Sequence, residues 1–131
     1  MVHGSLVPTD KFDVQSVERA ERAPLRDLVP LLPDLLTWIQ DMNWPVAVRL
    51  QPILASAGEA LVPHLRTVFD GEDDIWKYWC VHLIGSMEPA VQRLLIPDLQ
   101  RLASSPTDGE AHEEVDLQAR QVLIRLDSPV A

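Results

Sequence analysis

Several groups of residues carry side chains able to do chemistry. Cys80 and His82 supply a thiol and an imidazole two positions apart. On a helix that spacing points them about 200° apart, so they cannot act as nucleophile and base, and a buried Cys80 with a partly exposed His82 is expected. His112, Glu113 and Asp116 place an imidazole and carboxylates within about one turn, a spacing compatible with a metal. A third ligand would have to come from elsewhere, and HEEVD is not the HExxH motif. A solvated acidic helix face accounts for these residues with fewer demands. Asp70, Glu72, Asp73 and Asp74 crowd one loop but lack the ligand alternation and glycine placement of an EF-hand. There is no glycine-rich phosphate loop and no Ser-His-Asp signature. The expectation is a chain without catalysis, cofactor or metal, the least favoured alternative being a metal enzyme built around His112.

The elements that must position these residues follow from composition and periodicity. The 131 residues are 47% apolar and 24% charged, with only five glycines, the balance of one globular domain that favours helix over strand. One cysteine cannot form an internal disulfide. MVHGSLVPTDKFD lacks a basic region followed by an apolar run, so no signal peptide is expected. No apolar run is long enough for a membrane span, and a cytoplasmic protein of bacterial type is expected. Twenty acids against eleven bases give a net charge of −9. That balance argues against nucleic acid and for a basic protein partner.

Along the chain, residues 1–12 read as an extended N-terminal arm, and Asp13 caps a helix from Val14 to about Ala23. A second helix starts near Leu31 or Pro33 and carries Leu32, Leu35, Leu36 and Ile39 at helical spacing. Asn43 reads as the N-cap of a helix from Trp44 to Ser56, kinked at Pro52 and ended by Gly58. Another spans Ala60 to Phe69. Asp73 or Asp74 caps a helix to Ile84. Ser86 to Ala103 reads as helix with a kink or break at Pro97, SSPTDGE as a loop, and Ala111 to Leu126 as one amphipathic helix. No segment alternates with period two, so the chain is all-α.

One phrase recurs. LPDLLTWI (32–39), VPHLRTVF (62–69) and IPDLQRLA (96–103) share an apolar residue, proline, a polar residue, then leucine. A first-turn proline costs no hydrogen bond and presets the helical φ. Spacings of 30 and 34 residues match helical-pair repeats, in which each pair buries its apolar face on the next. The pattern resembles HEAT repeats: about three short units plus an N-terminal helix, an antiparallel α-α array forming a single domain. It departs from them where an arginine is usual early in the second helix, since the chain there reads Pro45-Val46-Ala47 and Lys77-Tyr78-Trp79.

A resemblance covers nearly the whole chain. LVPTDKFD (6–13), LLTWIQDMNWPVA (35–47), LVPHLRTVF (61–69), DDIWKYW (73–79) and SPTDGEAHEEVD (105–116) look like a family of small bacterial proteins known only as a domain of unknown function. The resemblance implies a HEAT-like helical fold and supplies no reaction.

In such an array one row of helices lines a shallow concave face. If the proline-bearing helices form that row, Asp34, His64 and Asp98 point outward, followed by Thr37, Thr67 and Arg101. Asp41 with Asn43, and Asp70, Glu72, Asp73 and Asp74, rim one edge. Trp76, Trp79, Cys80 and Leu83 form a helical stripe expected in the core, while Trp44 and Tyr78 are candidate exposed aromatic anchors. The function expected is a non-catalytic protein-binding module, an inhibitor or immunity protein that occludes a basic partner such as a bacterial toxin. The alternative is a self-associating scaffold, for instance a homodimer.

Overall fold

The computed structural model describes residues 5–127, and every regular element among them is helical. The first helix, α1 (Val14–Arg22), opens where Asp13 accepts the Ser16 N–H at 3.2 Å and the Ser16 hydroxyl at 2.6 Å. These bonds satisfy donors a helix start leaves free. They also hold the Asp13 carboxyl down to about 2, the Ser16 hydroxyl contributing most. Residues 5–12 fold along this helix in bends and a turn. Arg19 Nε donates to the Ser5 carbonyl at 2.8 Å, and the Val46 N–H to that of Lys11 at 3.3 Å.

Pro24 directs the chain away from α1 and into a short α2 (Leu25–Leu28), an element the apolar spacing does not announce. A 3-10 turn (Val29–Leu31) leads to α3 (Leu32–Leu36), and a further 3-10 turn (Thr37–Ile39) completes the segment read as one helix. Next, α4 (Pro45–Ser56) begins with Pro45 in its first turn, but its N-cap is Trp44, which makes no side-chain capping bond. The Asn43 reading is therefore corrected. The Asn43 N–H instead bonds the Asp41 carboxylate at 2.8 Å, one position too early for a cap. Pro52 lies inside α4 on its exposed face, with Val48 also exposed one turn before, so the carbonyl it releases is on the solvent side.

Gly58, at φ 65°, provides the left-handed residue that reverses the chain after α4. A 3-10 turn (Gly58–Leu61) leads to α5 (Val62–Phe69). Asp73 then caps α6 (Asp74–Ile84) by accepting the Trp76 N–H at 3.0 Å. The stretch read as Ser86–Ala103 is two helices, α7 (Pro89–Leu94) and α8 (Ile96–Ser104). Pro33, Pro63 and Pro97 thus all occupy the first turn of a helix. At Pro97 the outcome is a fresh start.

The last third differs most from the sequence reading. Thr107 and Glu110 form a reciprocal capping box that turns part of the expected loop into α9 (Asp108–His112). Glu114, at φ 62°, breaks the chain before α10 (Val115–Asp127). The helix expected from Ala111 to Leu126 is therefore two.

The helices pack in pairs: α3 on α4, α5 on α6, α8 on α10. Contacts also join α4 to α6, α6 to α10, and α3 to α5, while α1 covers α4. One continuous core results, with Leu35, Ile39, Leu50, Leu65, Leu83 and Leu99 at zero exposure. Truncating any of these leucines to alanine removes transfer energy and leaves a cavity, about 2–5 kcal/mol per site.

Candidate functional site

The chemistry-bearing pairs seen in the sequence are kept apart. Cys80 is fully buried and His82 exposed, and burial pushes the Cys80 thiol far above its ordinary range. Such a thiol stays protonated and is a poor nucleophile. His112 closes α9 and Asp116 lies in the first turn of α10, so the break at Glu114 removes the shared helical face assumed for them. Among the described residues, no group of three or more His, Cys, Asp or Glu side chains converges as a metal site.

A different place collects several of the expected residues. A cavity of about 170 Å³ lies between α3, α5 and the start of α6, lined by Pro33, Leu36, His64, Thr67, Val68, Gly71, Glu72, Asp73 and Trp76. Helices α3 and α5, each opened by a first-turn proline, are in contact, and the buried Leu36 and Val68 form the apolar floor. The Trp76 indole N–H donates to the Leu36 carbonyl at 3.1 Å, which fixes the half-buried ring between the first and second helical pairs. Gly71 closes the turn after α5, its N–H on the Val68 carbonyl at 3.0 Å. A side chain there would crowd that carbonyl.

The mouth is acidic. Glu72 and Asp73 line it, while Asp34 and Asp70 are exposed and adjacent in sequence to the lining residues Pro33 and Gly71, Asp70 also acting on the charge of Arg101. Among the described residues none of these four carboxylates has a cation within 4.0 Å.

The remaining expected residues lie elsewhere. Asp98 pairs with Arg66 Nε at 3.2 Å, and Arg66 also donates to the Leu94 carbonyl at 3.0 Å. Arg101 grips Glu110 through two bonds of 2.7 and 2.9 Å. Asp74 turns to Lys77 at 3.1 Å. These three, Asp98 and Arg101 of the expected outward face and Asp74 of the expected rim, are engaged in ion pairs within the chain. Asp41 accepts the backbone of Asn43. Trp44 packs edge-on against Trp38, ring centres 5.8 Å apart. Tyr78 accepts a bond from Gln118 at 2.8 Å and meets Trp79 edge-on at 4.9 Å. Both aromatics are half-buried.

The sequence reading passed over a buried charge cluster. Glu110 has no exposed surface and Lys77 only 3%. Lys77 Nζ donates to Glu110 at 2.8 Å, and the Thr107 N–H donates to it at 2.9 Å. Burial alone would push the Glu110 carboxyl up. The bonds from Arg101, Lys77 and Thr107 outweigh it and hold the group down at about 2. The same cluster raises Lys77 against its own burial. The readable signal was Thr107-Asp108-Gly109-Glu110, a capping-box pattern. With both charges paired and enclosed, the cluster joins α6, α8 and α9 and offers nothing to a ligand.

From residue 6 to residue 123 the chain matches the family described as Domain of unknown function (DUF5071). The chain belongs to that family. The segments that suggested an uncharacterised domain family all fall within the matched span, and DUF5071 membership assigns no reaction. No curated protein matches the chain. Among the described residues, no helix is long and apolar enough to cross a membrane.

Proposed function

We propose that this DUF5071 protein is a non-catalytic, cytoplasmic protein-binding module that captures a basic partner and occludes it, as an inhibitor or immunity protein does to a bacterial toxin. The observation that carries this reading is the apolar cavity lined by the exposed carboxylates Glu72 and Asp73, in a chain of net charge −9. An apolar floor supplies contact area, and an acidic margin speeds the approach of a basic surface. The pairing of α3 with α4, α5 with α6 and α8 with α10 supports a short HEAT-like array, whose first-helix row would present this face. The buried, protonated Cys80 and the separation of His112 from Asp116 favour binding over catalysis.

The test is affinity capture from lysate of the source organism, using the native protein and an Asp70→Lys, Glu72→Lys variant as baits at low and high salt. A stoichiometric basic partner, weakened by salt and lost from the variant, is the expected result. If neither bait retains a partner and light scattering gives a dimer, the alternative of a self-associating scaffold replaces this reading.

A further inference from the structure

We propose that the cavity between α3, α5 and α6 is an anchor pocket for a single arginine side chain presented by the partner. The proposal rests on the protein-binding reading and names the chemistry of its contact. Three features of the cavity match three parts of that side chain. Pro33, Leu36 and Val68 suit the methylene stem, which long basic residues bury along apolar surface. The Trp76 indole, held by its bond to the Leu36 carbonyl, offers a fixed ring for a guanidinium. Glu72 and Asp73 stand at the mouth as carboxylates for a forked donor.

Asp73 is partly occupied, since Oδ1 caps α6 through the Trp76 N–H. Oδ2 remains as an acceptor on the same side chain. The Trp76 backbone, its ring and its cap are therefore one unit, which places ring and carboxylate together before any partner arrives. The volume of about 170 Å³ suits one long side chain and not a helix. No lysine or arginine lines the cavity, which disfavours an anion. Guanidinium is preferred to ammonium because it is planar, more weakly hydrated, stacks on indole and binds carboxylate in a bidentate manner.

The experiment is a proton–nitrogen NMR titration of the whole protein with the capped amides of arginine, lysine and norleucine. Arginine amide is expected to shift the Trp76 indole N–H and the Gly71 and Glu72 amides saturably, with lysine weaker by about threefold or more. Norleucine should leave them nearly unmoved. Roughly 0.5 M salt, where screening acts within a few ångströms, should weaken the arginine response. The Glu72→Gln variant should weaken it about threefold to tenfold with an unchanged thermal midpoint, because Glu72 is exposed and unpaired.

Shifts spread over the acidic surface, no saturable shift at Trp76, or an equal response to norleucine would overturn the pocket. Equal binding of lysine would overturn the guanidinium assignment. The titration needs no partner, so the two readings fail separately. A captured partner with a silent pocket leaves the module without this anchor. A responsive pocket with an empty capture leaves the anchor without a partner in that lysate.

Discussion

A carboxylate with no exposed surface is tolerated at Glu110 because three donors converge on it, from Lys77, Arg101 and the Thr107 backbone. Removing the charge while keeping the shape leaves the buried Lys77 ammonium with Asp74 as its remaining ion-pair partner. Glu110→Gln is therefore expected to lower stability by about 3 kcal/mol, read by urea unfolding at neutral pH. The pH dependence has a definite sign. A carboxyl whose folded value lies below its ordinary 4.5, at about 2, contributes stability that is complete above the ordinary value. That contribution is lost as pH falls toward the folded value. Native protein should thus lose stability more steeply than the variant between pH 4.5 and 2, Asp13 giving both a smaller slope in the lower part of that window. Parallel curves would show that Glu110 is not held as described. In the sequence, Glu110 read as the end of a loop, although Thr107 and Glu110 carry the capping-box spacing that starts α9. Its burial was not readable, since Lys77 lies 33 positions away.

Among the elements, proline and the left-handed residues set the boundaries. Pro33, Pro45, Pro63, Pro89 and Pro97 all sit in the first turn of a helix, and this local rule was legible at the first four because it needs no tertiary partner, whereas Pro97 read as a kink or break inside a longer helix. The break at Glu114 was not legible. Its neighbours continue the helical apolar spacing, yet the backbone takes φ 62° there, a conformation that costs a β-carbon about 1–2 kcal/mol. Burial of Val115 and Ala119 on α10 at zero exposure, together with the enclosed Glu110 on α9, sets the two helices at orientations one continuous helix cannot satisfy. Glu114→Gly should relieve that strain. With glycine's greater unfolded-state freedom as an offset, a gain of up to about 1 kcal/mol is expected in thermal or urea unfolding. A clear loss would mean that the Glu114 side chain holds the break in place. The same logic explains the unexpected α2, whose four residues are too few for periodicity to reveal.

At the scale of the whole molecule, charge is the dominant physical fact. A chain at −9 repels itself, and salt should screen that repulsion more than it weakens the exposed pairs of Arg49 with Glu18 and Glu21. The thermal midpoint is expected to rise by a few degrees between low and physiological ionic strength. A falling midpoint would show that the ion pairs, including Arg66 with Asp98, outweigh the repulsion.

The sequence by itself determined what depends on a few neighbouring residues: helical class, most first-turn prolines, the Asp13 cap and a cap at Asp73 or Asp74, and membership of a recognisable domain family. It also named His64, Glu72 and Asp73, which the fold gathers at one cavity. Only the tertiary structure decided which acids remain unpaired. Asp74 and Asp98 read in sequence like Asp34 and Glu72, but Lys77 and Arg66 neutralise the first two, Arg66 from 32 positions away. Charge pairing depends on distance in space, and that distance is set by how the helical pairs stack.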